Sequence, residues 1–310
     1  MKLEQFEQVL EVAKTGTFSK AAKNLYMSQP NLSLSIKQLE QELGCALFVR
    51  TSGGVAPTEK GKELIEHMAA IQNQYDLLRM YGANQEPSRL PLRIATVNLN
   101  RCISHFLHVA KKYMTSPVTF SYINCVTVDD AIHRVETSQA DLAVFGFMEH
   151  YRKSTLAKIE SLNMQYTRIA QSAVVAMIGP QNAYYETKST LSVQDLVSQT
   201  VLTHSNMALD PASAMFDFHY SGITCRGRFT TNNNYLFYEL IQETDALGLV
   251  SNAPGNRRSY QQKYWPDIRC IPLTDYPNSG EFGWIKLRRM PLSEIAQEFI
   301  RELTSEHDEC

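Results

Sequence analysis

Three short helical patterns follow one another within the first 45 residues, and this succession limits the fold more than any other feature of the chain. The first pattern ends at Gly16, a typical residue for the end of a helix. The second begins at Ser19 and is predicted over residues 20–25. The third is capped by Ser28, carries Pro30 in its first turn, where a missing N–H costs little, and stops at Gly44.

The third helix is predicted to have one buried face and one polar face. Its apolar residues step by four, three and four and form one stripe: Leu32, Ile36, Leu39 and Leu43. After it, residues 47–50 and 55–57 flank the turn Ser52-Gly53-Gly54 as a small β-hairpin. A helix with a polar edge fits the major groove of DNA. Residues 1–60 are therefore predicted to form a winged helix-turn-helix that binds double-stranded DNA.

The residues predicted to contact DNA lie on the polar edge of this helix and on the hairpin. Amides and hydroxyls can pair with base edges or phosphates, and lysine and arginine can neutralise phosphates. The set is Ser28, Gln29, Pro30, Asn31, Ser33, Leu34, Lys37, Arg50, Thr51, Ser52 and Gly53. Leu34 either touches a thymine methyl group or contacts nothing, because leucine is tolerated on surfaces. The formal net charge of −2 does not indicate a DNA-binding protein, but it permits one, because footprints on DNA are local patches.

A long fourth helix is predicted from a cap at Thr58 to about Tyr81, within a linker assigned to residues 58–83. Its apolar residues alternate in steps of four and three: Leu64, Met68, Ile71, Tyr75 and Leu78. About 25 residues give a rod roughly 37 Å long, too long to bury this seam against a 60-residue domain. The seam is therefore predicted to dimerise the protein. The alternative is packing along the chain's own second domain, because two heptads are short for a coiled coil.

Beyond the proline-containing linker at 82–91, strand and helix patterns alternate, which predicts an α/β fold with predominantly parallel sheets. Strands are predicted at 92–98, 118–124, 141–147, 169–178, 224–231, 247–251, 268–273 and 282–287, and helices at 101–114, 128–138, 208–220, 233–244 and 292–304.

The N-terminal residues also carry a family resemblance. They read Phe18-Ser19-x-Ala21-Ala22-x-x-Leu25-x-x-Ser28-Gln29-Pro30-x-Leu32-Ser33-x-x-Ile36-x-x-Leu39-Glu40-x-x-Leu43-Gly44-x-x-Leu47-Phe48-x-Arg50, then Thr58-x-x-Gly61. This pattern resembles the signature of LysR-type transcriptional regulators. Leu34, Ser35 and Gly53 depart from it, since many members have basic or amide residues at the first two positions and arginine at the third. Fewer cationic contacts predict a shallower salt dependence of DNA binding.

The resemblance implies a two-lobed effector-binding domain over 92–304, like that of periplasmic binding proteins. Lobe one would hold 92–165 and 269–304, and lobe two 166–268. Segments 139–144 and 247–250 resemble strands of that domain. The resemblance also implies a homodimer or homotetramer, promoter DNA as partner, a small-molecule effector and contact with RNA polymerase.

Ligands of open α/β sheets bind at the carboxyl ends of the strands. The resemblance implies an effector cleft between the two lobes, and the residues expected to face it are Asn98, Asn100, Arg101, Asn124, Thr127, Thr203, His204, Ser205, Asn232 and Asn233. Their composition favours a polar or anionic small molecule. The alternative is that they are ordinary turn and cap residues, where asparagine is common.

Other function classes have little support in the sequence. We expect no enzyme, because no P-loop, G-x-S-x-G or H-E-x-x-H motif occurs, and no cofactor. His105 and His108 stand one helical turn apart but lack a third metal ligand. The six cysteines are scattered and expected to be reduced, and no apolar run suggests a signal peptide or membrane span, so a soluble cytoplasmic protein is expected. Alternatives are a solute-binding protein or enzyme with a short helical head, and a dimeric interaction module without effector.

Overall fold

The computed structural model describes residues 1–82, 91–97, 101–116, 118–204, 223–252, 264–276 and 280–305. The chain forms two compact units, the first made almost entirely of residues up to 86 and the second of those that follow. We call them the N-terminal and the C-terminal unit. No helix in the described ranges combines the length and the apolar character needed to cross a membrane.

The N-terminal unit contains the predicted helices and hairpin. They are α1 (Leu3–Thr15), α2 (Phe18–Asn24), α3 (Gln29–Leu43), β1 (Phe48–Thr51), β2 (Gly54–Pro57) and α4 (Glu59–Gly82). Helix α2 starts earlier than predicted because Thr17, and not Ser19, caps it: the Thr17 side chain accepts a hydrogen bond from the Lys20 N–H. Gly16 and Gly44 end α1 and α3 as predicted, both in the left-handed conformation.

One apolar core holds these elements together. Its fully buried members come from α1, α2, α3 and the residue before the hairpin: Val9, Val12, Ala21, Leu32, Leu39 and Leu47. The hairpin is fixed to the end of α1, since the Val55 N–H donates to the Gly16 carbonyl oxygen over 2.8 Å. A Cβ atom at Gly54 would clash with that same oxygen, so glycine is required there.

The predicted seam of α4 divides into two parts. Leu64 and Met68 pack into the core of the N-terminal unit, because the first half of α4 lies against α1. Ile71, Tyr75 and Leu78 are exposed, with Leu78 at 68%. Met68 is therefore buried within its own chain, and Leu64 is partly buried there. Dimerisation through the seam stays a prediction, with Ile71, Tyr75 and Leu78 as its exposed part.

The C-terminal unit alternates strands and helices, which confirms the predicted α/β fold. The strands are β3 (Leu92–Val97), β4 (Phe120–Cys125), β5 (Leu142–Met148), β6 (Met164–Ile178), β7 (Thr200–His204), β8 (Gly227–Thr231), β9 (Leu247–Asn252), β10 (Arg269–Pro272) and β11 (Gly280–Leu287). The helices are α5 (Arg101–Lys112), α6 (Val128–Glu136), α7 (Arg152–Ser161), α8 (Asn234–Glu243) and α9 (Glu294–Ser305). The sequence patterns missed β7 and α7, and the helix predicted at 208–220 lies outside the described residues.

The sheet is mixed, and the prediction of predominantly parallel pairing was wrong at its centre. Its strands follow the order β4-β3-β5-β11-β6-β9-β7-β8, with β10 beside β6. Strands β3, β4 and β5 are parallel to one another, as are β7, β8 and β9. Between these sets, β11 runs antiparallel to β5 and β6, and β6 runs antiparallel to β9, because the chain returns from the second set into the first as β11.

Strand β6 belongs to both halves of this sheet. Its residues 164–172 pair with β11, and its residues 173–178 pair with β9. Helices α5 and α9 cover one face of the first half, and α6 and α7 cover the other. The resulting two lobes share a strand, which fixes where their edges meet.

Candidate functional site

Helix α3 separates a buried stripe from an exposed polar face. Leu32, Ile36 and Leu39 are 0–1% exposed, whereas the residues predicted to touch DNA are all exposed. We call Gln29, Asn31, Ser33, Leu34 and Lys37 the reading face. Leu34, at 58% exposure, is its only large apolar side chain.

The start of α3 is organised by two serines. Ser28 caps the helix, its Oγ accepting a hydrogen bond from the Asn31 N–H over 3.4 Å. The Ser19 hydroxyl on α2 donates to Oε1 of Gln29 over 3.0 Å. The side-chain carbonyl oxygen of Gln29 is thus engaged, and its NH₂ group is left to donate to an acceptor such as a phosphate or a base edge.

The hairpin is attached to α3 by Glu40. This carboxylate accepts hydrogen bonds from the backbone N–H groups of Leu47, at 2.7 Å, and Phe48, at 3.3 Å. Glu40 stands in the signature pattern, but sequence reasoning assigned it no role. Beyond this anchor, the predicted contact residues of the hairpin, Arg50 to Gly53, are exposed at its tip. Glu40 therefore helps to fix the position of the hairpin relative to the reading face.

In the C-terminal unit, strand register brings two sets of strand ends together. The parallel strands of the first lobe end at Val97, Cys125 and Met148. Met148 and Ser172 both pair with Gly280, and the next residue, Ala173, pairs with Asn252 at the end of β9. The carboxyl edges of both lobes thus meet at Ser172 and Ala173. Such an edge is where ligands of α/β sheets bind.

The expected effector residues divide into several groups. Asn98, Asn100 and Ser205 lie outside the described residues, and Arg101 is the first residue of α5. Asn124 is exposed near the end of β4, and Asn232 is exposed after β8. The remaining four residues are Thr127, Thr203, His204 and Asn233.

Two of these four use their side chains as helix caps. The Thr127 hydroxyl accepts a hydrogen bond from the Asp130 N–H over 3.0 Å at the start of α6. Oδ1 of Asn233 accepts one from the Leu236 N–H over 3.1 Å at the start of α8. The structure thus shows a cap role for these side chains, and their predicted role in effector binding remains untested.

Thr203 and His204 end β7 in different environments. Thr203 is buried, and the His204 ring stacks on Phe237 of α8 with centroids 4.5 Å apart. Burial lowers the pKa of His204, opposed by a hydrogen bond with the Thr231 backbone. Its Nδ1 atom is buried and has no hydrogen-bond partner among the described residues. Burial thus favours the neutral form of the ring.

Two further residues were missed in the sequence. Ser172 is 3% exposed, and its hydroxyl is buried without a described partner at the point where the lobe edges meet. Nothing in the sequence marks it, because it is one serine within a long strand. Tyr26, between α2 and α3, is 98% exposed, and its sequence context indicates only a turn.

Comparison with known proteins identifies the N-terminal domain. Residues 3–62 match the model described as bacterial regulatory helix-turn-helix protein, lysR family. Residues 3–62 are thus a helix-turn-helix domain of the lysR family. This confirms the resemblance found in the N-terminal residues, and the matched range covers α1 to the first turn of α4.

Several relatives of the chain are named HTH-type transcriptional regulators. The regulator MJ0300 of Methanocaldococcus jannaschii is 26% identical over 93% of both chains. The regulator IlvY of Escherichia coli is 30% identical over 47% of this chain and 50% of its own length. YcgK of Bacillus subtilis is 42% identical, but the match spans only 26% of this chain and 25% of that protein.

Solved structures share the fold along the whole chain. A full-length OxyR variant from Pseudomonas aeruginosa has a TM-score of 0.63 at 14% identity, over 100% of this chain and 95% of that one. Full-length CbnR in complex with its target DNA has a TM-score of 0.60 at 18% identity, over 99% and 100%. The predicted helix-turn-helix and two-lobed α/β architecture are thereby confirmed as a fold.

Proposed function

We propose that this protein is a sequence-specific DNA-binding transcription regulator controlled by a small molecule bound between the lobes of its C-terminal unit. The observation that carries the proposal is the reading face of α3, which is exposed opposite a buried stripe. The hairpin is anchored to the same helix by Glu40. A relative of the same fold is described in complex with its target DNA. The two alternative functions, an enzyme or a solute-binding protein, do not account for this exposed polar face.

Sequence recognition would come from the reading face and positioning from the cations. Asn31 and Ser33 can pair with base edges, and Leu34 can meet a thymine methyl group. Lys37 and Arg50, both exposed, can neutralise phosphates. Each phosphate contact contributes about −0.9 to the slope of log affinity against log salt, so a head with few cations should show a shallow slope.

The test is genome-wide footprinting of the full-length protein, followed by affinity measurements on the duplexes it protects. We expect tight binding to a few promoters, and weaker binding to a shuffled duplex of equal length by about a thousandfold. Equal affinity for both duplexes at physiological salt would sink the proposal. Transcription from such a promoter in vitro, with and without the protein, tests the proposed contact with RNA polymerase.

Dimerisation through α4 would place two heads on one DNA site. The exposed Ile71, Tyr75 and Leu78 lie at steps of four and three and can pack on the same helix of a second copy. We expect Ile71→Ser combined with Leu78→Ser to shift the protein from dimer to monomer in sedimentation, and Arg79→Ser, at an exposed neighbour, to leave it unchanged. Linked heads gain affinity by a factor of about 100 or more, so operator affinity should fall with the dimer. Sedimentation also distinguishes a homodimer from a homotetramer.

The effector would bind where the carboxyl edges of the two lobes meet. The buried Ser172 hydroxyl and the Nδ1 atom of His204 have no hydrogen-bond partner within the described part of the chain. Leaving such atoms unpaired in the interior costs free energy, and a polar ligand would satisfy them. A thermal-shift screen of polar and anionic metabolites tests this. A ligand that raises the melting temperature of the wild type should not raise that of Ser172→Ala. An equal rise in both proteins would exclude Ser172 from the site.

A further inference from the structure

Each of the first three helices is followed, within two residues of its end, by a residue in the left-handed conformation. These residues are Gly16 with φ 68°, Tyr26 with φ 54° and Gly44 with φ 71°. Glycine has no Cβ and adopts this conformation freely, whereas any residue with a side chain is destabilised in it. The tyrosine is thus the exception among three equivalent positions.

The backbone around Tyr26 leaves no other conformation open to it. The Met27 N–H donates to the Ala22 carbonyl over 3.0 Å, and the Tyr26 N–H donates to the Lys23 carbonyl over 3.2 Å. This pair of bonds is the helix-ending arrangement in which the residue at position 26 is left-handed and most often glycine. Met27 packs into the core behind it, which fixes the turn.

The Tyr26 side chain makes no contact with the described part of the chain that would offset this cost. It is 98% exposed, and it makes no ring contact or side-chain hydrogen bond with another described residue. Single exposed apolar residues are ordinary on surfaces, but an exposed ring at a glycine-favouring position is not. An unfavourable backbone conformation kept without an internal contact points to an external one.

The surroundings of Tyr26 indicate which external contact it makes. It lies two residues before the Ser28 cap of α3, so it adjoins the N-terminal end of the helix that carries the reading face. Lys20 and Lys23, on the preceding helix, are exposed. Phosphate groups are attracted both by lysines and by a helix N-terminus, and tyrosine hydroxyls donate hydrogen bonds to phosphate oxygens.

We propose that Tyr26 is a further DNA-contact residue, whose hydroxyl donates a hydrogen bond to a backbone phosphate beside the start of α3. This rests on the proposed DNA-binding function and adds a contact outside the reading face. The contact is to the backbone, so it strengthens binding to every duplex and positions α3 without selecting a sequence.

The test compares three variants of the full-length protein: Tyr26→Phe, Tyr26→Gly and Gly44→Tyr. Tyr26→Phe removes only the hydroxyl and should lower affinity about tenfold, both for the footprinted duplex and for a shuffled one. Because the hydroxyl is neutral, the salt slope should stay unchanged. Tyr26→Gly should lower affinity at least as much while raising the melting temperature, since it relieves the backbone.

Gly44→Tyr is the matched control. It places the same side chain at a left-handed helix end, where no atom lies within 4 Å of the added Cβ. It should lower the melting temperature and leave DNA affinity unchanged. Ethylation interference gives a direct readout: one phosphate should block binding of the wild type when ethylated and have no effect on Tyr26→Phe.

The results distinguish a failure of this inference from a failure of the proposed DNA-binding function. Wild-type protein that prefers the footprinted duplex, with Tyr26→Phe and Tyr26→Gly binding as tightly, overturns the role of Tyr26 alone. Wild-type protein without preference for any duplex overturns the proposed function. Variants that weaken self-association in sedimentation, with unchanged DNA affinity of the dimer, would assign Tyr26 to a contact between copies and also overturn the inference.

Discussion

The two units use their polar residues differently. In the N-terminal unit, Asn31, Ser33 and Lys37 point away from a helix whose stability comes from the opposite face. In the C-terminal unit, Thr127 and Asn233 sit at strand-to-helix turns, and their side chains hold the helices that follow. On α3, binding and stability are thus divided between two faces of one helix, whereas the polar side chains at these turns stabilise the helices that follow. Substitution of such polar residues should therefore lower DNA affinity in the first unit and stability in the second.

The largest effect is expected on the reading face. Asn31→Ala combined with Ser33→Ala should lower operator affinity by at least about a hundredfold, since each base contact contributes roughly 1–3 kcal/mol. The free energy of unfolding should change by less than about 0.5 kcal/mol, as for other exposed sites. Gel shift and chemical denaturation measure the two. The comparison variant on the buried face of the same helix, Leu39→Ala, should lower the free energy of unfolding by about 2–5 kcal/mol.

Glu40 joins the two properties within the N-terminal unit. Glu40→Ala leaves the N–H groups of Leu47 and Phe48 without their acceptor, and should destabilise the protein by about 1–3 kcal/mol. DNA affinity should fall as well, because the hairpin loses its anchor. Glu42→Ala, at an exposed neighbour paired with the N-terminal amine, should do neither. Equal effects of the two substitutions would contradict the anchor.

In the C-terminal unit, removal of a helix cap should lower the free energy of unfolding. Thr127→Ala and Asn233→Ala should each lower the free energy of unfolding by about 0.5–2 kcal/mol, with Thr127→Ser and Asn233→Asp near wild type. If capping is their whole role, ligand affinity should stay within about twofold in isothermal titration with a ligand found by thermal shift. A large loss of affinity at unchanged stability would show that these residues act as the reading face does, and would remove the contrast.

A pH dependence of stability is expected from His204. Its pKa is lowered by burial, so below about pH 6.5 the unfolded chain binds a proton that the folded chain refuses. The free energy of unfolding should therefore fall as the pH drops from 7 towards 5, by at most about 1.4 kcal/mol per pH unit for one proton. His204→Gln should flatten this dependence, which denaturation at several pH values measures. Identical slopes for His204→Gln and the wild type would rule out the titration.

Local signals were enough to predict the N-terminal unit. The caps Ser28 and Thr58, the ends Gly16 and Gly44, and the stripe of α3 all act within a few residues of chain. Periodicity also found the seam of α4. It could not show that Leu64 and Met68 face their own core, because an apolar stripe does not specify its partner.

The C-terminal unit depended on contacts between distant residues. Helix α7 buries only Thr155 and Ile159, so it has no apolar stripe to detect. The antiparallel centre of the sheet follows from where β11 returns, and the position of Ser172 at the meeting of two edges follows from register. Neither is a property of neighbouring residues. The fold class was therefore predictable, and the centre of the candidate ligand site was not.

A strand shared by two lobes also sets an order of assembly. The second half of β6 finds its partners in β9 and β10, which come before residue 273, whereas its first half pairs with β11, which begins only at Gly280. On the ribosome, the sheet of the second lobe can close while the first still has an open edge along β5 and β6. That edge is available for mispairing until β11 emerges. Slow synthesis just after β10 should therefore favour aggregation more than a pause anywhere in the N-terminal unit.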